Sequence, residues 1–154
     1  MSAPLHRDSR VISSSAAEPP SLALVHYKHG DPLDVLTLEA DMVPPPLRPP
    51  SPGMVQVRIL CAAVNPADVN MVQGRYPILH PPPAVPGSDC VAEVTALHPR
   101  DEHCNLSVGD WVVPSAAGTG GSWRQRLETP CGAWVKLPPG LDLRSAISAL
   151  GVAG

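Results

Sequence analysis

The chain has 154 residues, 44 % of them hydrophobic, and a formal net charge of −3. That is a one-domain length with enough apolar content for a core. The slight acidity gives no basic footprint for nucleic acid, and no apolar run approaches the roughly 18 residues of a membrane-spanning helix. The 21 prolines, far above an average usage of about 5 %, argue against long helices, because proline fixes φ and removes a backbone donor.

Residues 1–20 are rich in Ser and Ala and carry Arg7 and Arg10. They read as a disordered terminus or as the remnant of a mitochondrial presequence, with Asp8 and Glu18 against the second reading. Leu22–Lys28 is predicted as a strand, ended by the turn residues His29-Gly30-Asp31-Pro32. Val35–Leu38 is a second short strand. Val43–Pro52, VPPPLRPPSP, can be neither helix nor sheet interior and is predicted as an extended surface connection. From Val55 to Cys61, residues Val55, Val57, Ile59 and Cys61 alternate with Gln56 and Arg58, the pattern of a half-buried strand. Asn65-Pro66 then opens a short helix: Asn as N-cap, Pro at the first helical position and Asp68 in the first turn. Gly74 can end it.

Further along, 81–86 is a second proline-rich crossing and Gly87-Ser88-Asp89 a turn. Cys90–Leu97 is predicted as a strand, 98–105 as a polar loop, and Val108-Gly109-Asp110 as a turn into the strand Trp111–Val113. Ser122–Glu128 and Ala133–Leu137 complete the strands, and Asp142 caps a helix from Leu143 to Leu150. Trp111 is assigned to the core. Gly118-Thr119-Gly120-Gly121 is glycine-rich but lacks the strand–turn–helix setting of a dinucleotide-binding loop. The cysteines, Cys61, Cys90, Cys104 and Cys131, form no CxxC pair, so they read as reduced thiols rather than a zinc knot. Many short strands punctuated by turns indicate a small, mainly β fold, an irregular β-barrel with a few short helices.

Several segments occur in a telling order: CAAVNPADVNMVQGRYP (Cys61–Pro77), PAVPGSDCVAEV (Pro83–Val94), VGDWVVP (Val108–Pro114) and GSWR (Gly121–Arg124). Together they resemble the N-terminal, GroES-like domain of the zinc-independent enoyl thioester reductases, a branch of the medium-chain dehydrogenase/reductase superfamily. The resemblance covers about Leu22 to Val152. It divides the chain into the terminus 1–20, a GroES-like catalytic domain 21–142, and 143–154 as the start of a helix leading to a nucleotide-binding domain that this chain lacks. On that reading the chain looks truncated and inactive alone.

The resemblance implies further expectations. NADPH is the cofactor, held mainly by the second domain, and an enoyl-CoA or enoyl-acyl-carrier-protein is the substrate. The full-length family is expected to be homodimeric and mitochondrial, with a cytoplasmic location as the alternative. Zinc dehydrogenases of the superfamily carry a Cys ligand at the position of Asn65 and a His-Glu pair at Ser88-Asp89, so no zinc is expected. Tyr76 matches the family's proton donor, and phenols, with a reference pKa of about 10, carry a proton at neutral pH. Asn65 and Asn70 are candidates to orient the cofactor amide or the tyrosine, although Asn65 also reads as a plain N-cap and Asn70 as an exposed helix residue. Trp123 either lines the acyl pocket or packs the core. A quinone reductase-like enzyme of the same superfamily and a non-catalytic GroES-like interaction module are the alternatives.

Overall fold

The structure, a computed structural model, describes residues 20–40, 49–77, 79–98, 104–115 and 120–150, apart from the side chain of Ala149. The expectations for residues 1–19 and for most of the first proline-rich crossing lie outside the described residues. The strands are β1 (Leu22–His26), β2 (Leu36–Ala40), β3 (Met54–Ala62), β4 (Cys90–Leu97), β5 (Trp111–Pro114), β6 (Arg126–Pro130) and β7 (Trp134–Lys136). The helices are α1 (Pro32–Val35), α2 (Pro66–Val72) and α3 (Leu143–Leu150), with a 3₁₀ turn at Cys131–Ala133. The expectation of a mainly β fold with short helices holds. The strands make a two-stranded sheet, β1-β2, and a five-stranded sheet of order β6-β3-β4-β5-β7. These do not close into a barrel. Isolated bridges from Ala23 to Arg124 and from His26 to Ala84 tie β1 to the rest.

The main core forms where the alternating faces of β3 and β4 meet, and Val55, Val57, Cys90, Ala92, Val94, Leu106, Val112 and Trp134 are buried together. Pairing of β3 with β4 is antiparallel, with register shifts after Gln56 and Ile59. A smaller cluster of Val91, Val113 and Ala146 docks α3 on the sheet. Trp111, expected in the core, is half-buried against this second cluster, and Trp134 is the tryptophan that the main core encloses. Asp142 caps α3 as expected, accepting from the Ser145 N–H at 2.9 Å and the Ser145 hydroxyl at 2.6 Å.

Three expectations need correction. The strand expected from Val35 begins at Leu36, because Val35 closes a helical turn, Pro32–Val35, in which Asp31 accepts from the Leu33 N–H at 3.0 Å with Pro32 at the first helical position. The strand expected from Ser122 begins only at Arg126. Upstream of it the N–H groups of Gly121, Ser122 and Trp123 go to the carbonyls of Gly87, Gly87 and Pro86, so they cannot serve a ladder. Finally, Cys104 and Cys131 are not reduced thiols but a disulfide, with their Cα atoms 5.8 Å apart. Cys61 and Cys90 are free.

Candidate active site

The sequence Asn65-Pro66-Ala67-Asp68 builds the first wall of the site. Pro66 starts α2 with a φ suited to a helix, and Asp68, three residues past the N-cap, reaches back to the Asn65 N–H at 2.8 Å. This is the carboxylate half of a capping box. The Asn65 side chain faces the Asp68 N–H as the other half of the box, and its Nδ2 donates to Asp89 Oδ2 at 2.7 Å. Asp68 is fully buried, and its second oxygen accepts from the Ser88 hydroxyl at 2.8 Å. A buried carboxylate is tolerable only when its oxygens are satisfied in this way.

The turn 87–89 forms the second wall and the strand-like run 121–123 the third. Gly87 has a φ of +95°, and a Cβ there would run into the Trp123 indole and the Ser122 hydroxyl. Only glycine allows the two segments to meet this closely. Across the junction, Trp123 Nε1 donates to the Ala63 carbonyl at 2.9 Å. The Ala63 N–H donates to the Asp89 carbonyl at 3.0 Å, and the Ser122 hydroxyl reaches the same carbonyl at 3.4 Å. Ala63 and Asn65 are therefore fastened on either side of Val64, which stands 70 % exposed. Just behind, burial pushes the Cys90 thiol up to about 12, with Asp89 and Cys61 adding to the rise.

At the far end of α2, Gly74 (φ +73°) ends the helix as expected. The Gly30 N–H and the His29 ring bond the Val72 carbonyl at 3.1 and 3.3 Å, anchoring this end on the β1–α1 connection. The Arg75 N–H returns to the Asn70 carbonyl at 2.8 Å. Tyr76 follows in a bend, half-buried, and makes no hydrogen bond to another described residue. A helix of seven residues rises about 10 Å, so Asn65 and Tyr76 stand at its two ends.

The structure thus joins Asn65 and Trp123, through Ala63 and Asp89, in one network. Asn70 is exposed on α2, and its side chain is not part of that network. Trp123 also lines an open apolar groove of about 340 Å³ with Leu22, Leu24, Leu38, Ile59 and Cys61. A second, smaller cleft is lined by His26, Met71, His80, Pro86, Gly87 and Ser88. Sequence reasoning placed Asp68, Ser88 and Asp89 in a helix turn and a loop but did not connect them. The only signal was their acidic or hydroxylic character beside Asn65 and a glycine turn.

The five-stranded sheet with its short flanking helices defines the class at the level of fold. Residues 51–150 match the alcohol dehydrogenase GroES-like domain, and the chain belongs to that family. Among its relatives, the human mitochondrial enoyl-[acyl-carrier-protein] reductase is 39 % identical over 140 residues, which is 90 % of this chain and 35 % of the relative. Two solved structures share the fold at similar coverage. The Etr1p/NADP/crotonyl-CoA complex has a TM-score of 0.68 and 29 % identity over 78 % of this chain and 34 % of the other. The mitochondrial 2-enoyl thioester reductase Etr1p/Etr2p heterodimer from Candida tropicalis has a TM-score of 0.72 and 27 % identity, over 84 % of this chain and 40 % of the other. The chain thus spans between 34 and 40 % of the length of these three proteins.

Proposed function

We propose that this chain is the N-terminal domain of an NADPH-dependent trans-2-enoyl-thioester reductase of mitochondrial fatty acid synthesis, with Tyr76 as its proton donor. The observation that carries the reading is the 39 % identity to the human enoyl reductase over nearly the whole chain. The relative's mitochondrial name supports the same location here, and the Candida heterodimer supports assembly as a pair of like chains.

NADPH fits this face at its reacting end only. Val64 offers an exposed apolar surface for a flat ring, beside the Asn65 amide; the phosphates belong to the second domain of the family. When bound, the cofactor supplies a hydride for the β-carbon of the enoyl thioester. The chain's own residues do the rest. Tyr76 holds a proton at its hydroxyl and delivers it to the α-carbon. Trp123 and the leucines of its groove take the apolar acyl chain, since large apolar contacts exclude water from it. The positions matching the zinc ligands of the superfamily's dehydrogenases hold an amide, a hydroxyl and a carboxylate, Asn65, Ser88 and Asp89. All three are engaged with one another or with Asp68, and the set offers neither the thiolate nor the imidazole of those zinc sites.

The test is NADPH oxidation with a trans-2-enoyl-CoA and, separately, with a quinone. It is made on this chain alone and on the chain joined to the downstream part of a full-length relative. The reading expects enoyl turnover in the joined protein and none in the single domain. Quinone turnover without enoyl turnover would replace it with the quinone reductase reading.

A further inference from the structure

Resting on Tyr76 as the proton donor, we infer that His29 is the residue that positions it, acting through the end of α2. Among the described residues no hydrogen bond holds the Tyr76 side chain, so its place is set by where the backbone leaves α2. The last carbonyls of a helix have no partner within it. In α2 those of Asn70 and Met71 are met by the chain's own continuation, the N–H groups of Arg75 at 2.8 Å and Gly74 at 3.0 Å. The carbonyl of Val72, the final helical residue, is met from outside instead. The Gly30 N–H reaches it at 3.1 Å and His29 Nδ1 at 3.3 Å. A carbonyl only accepts, so Nδ1 carries the proton, and the carbonyl's lone pairs serve both donors. Gly74 lies directly on the imidazole: a Cβ there would stand 3.0 Å from His29 Cβ and Cγ. His29 is itself backed by the buried His26, whose ring centre is 5.5 Å away and whose Nδ1 donates to the Lys28 carbonyl at 3.2 Å. One half-buried imidazole therefore holds both the last turn of α2 and the glycine that redirects the chain towards Tyr76.

The test uses the chain joined to the downstream part of a full-length relative, labelled with fluorotyrosine and assayed with a trans-2-enoyl-CoA. The fluorine resonance that vanishes in Tyr76→Phe is that of Tyr76. It is expected to be single and sharp in the parent and split or broadened in His29→Leu. It is expected to be single again in His29→Asn, whose Nδ2 stands in for the imidazole Nδ1 as donor to Val72. Turnover follows: His29→Leu lowers kcat by about 10- to 100-fold, the effect of a small misplacement, with KM and NADPH affinity unchanged, and His29→Asn recovers most of the loss. In a Tyr76→Phe background His29→Leu lowers kcat no further, because the group it misplaces is gone. A merely structural role would lower turnover in both backgrounds alike. A single, sharp Tyr76 resonance in His29→Leu overturns the inference, as does a kcat loss that is the same with and without Tyr76 or that His29→Asn does not recover. If His29→Leu does not fold, His29→Phe, which keeps a ring under Gly74 and lacks the donor, takes its place in every comparison. A resonance that follows this pattern without any enoyl turnover supports the positioning by His29 and overturns only the proposed reaction.

Discussion

Asp68 has no exposed surface, yet it is the joint on which the N-terminus of α2 is hung. Replacing it with Ala strands the Asn65 N–H and the Ser88 hydroxyl away from water. At 1–3 kcal/mol per unsatisfied group, Asp68→Ala is expected to cost about 3 kcal/mol in a denaturant titration. Ser88→Ala strands one oxygen of the buried Asp68 side chain and is expected to cost about 2 kcal/mol. Equal losses in the two variants would show that the carboxylate is not shared as described. Cys90 makes a pH prediction at the same scale. Its folded pKa, about 12, lies above the 9.0 of a free thiol, so above pH 9 the unfolded chain loses a proton that the folded chain keeps. The stability this represents is complete below pH 9 and falls as pH rises towards 12, at no more than about 1.4 kcal/mol per pH unit. Denaturation midpoints of the parent and of Cys90→Ala, compared at pH 8 and 10.5, are expected to converge at the higher pH. A constant difference would contradict the buried-thiol account.

Among the elements, the run 120–125 is the least regular and the most informative. Its Gly121, Ser122 and Trp123 N–H groups go to Gly87 and Pro86, and that of Gln125 to Leu22; the contact with the turn at Gly87 closes only because Gly87 has no side chain. Gly87→Ala is expected to cost more than about 2 kcal/mol, from the positive φ and the collision with Trp123 together. Thermal unfolding measures it, and a near-neutral change would mean that the two segments are not in contact. This element also shows where sequence reading stops. The bounds of β4 were legible because a glycine turn precedes its mostly apolar run and a polar loop follows it, and α2 because Asn, Pro and Asp stand in cap order. Residues 122–125 have strand-like composition, but their backbone bonds are divided among Pro86, Gly87, β1 and Ile59, and no local pattern reveals that. The same holds for the site. Asn65, Tyr76 and Trp123 stood out through their surrounding motifs, whereas the bond from Asn65 to Asp89 spans 24 residues and exists only once α2 and the 87–89 turn are packed side by side.

For the whole molecule, the link between Cys104 and Cys131 closes a loop with a sequence separation of 27 and clips the start of the 3₁₀ turn to the segment before β5. Loop-closure entropy for that length gives about 3.5 kcal/mol. Cys104→Ser is therefore expected to lower stability by an amount approaching this, and a reducing agent to do the same to the parent but not to the variant. Identical stability with and without reductant would mean that the link does not form. On the proposed reading, the apolar groove beside Trp123, the exposed Val64 and the half-buried Tyr76 are this chain's contribution to an enoyl-thioester site. The account rests most heavily on Tyr76. Its most direct test is the turnover of a trans-2-enoyl-CoA by the chain joined to the downstream part of a full-length relative, with Tyr76 and with Tyr76→Phe. The account predicts a folded variant with NADPH affinity unchanged and kcat lower by about 10²–10⁴-fold, the range of a lost general acid. A Phe variant that turns over at the parental rate would contradict it.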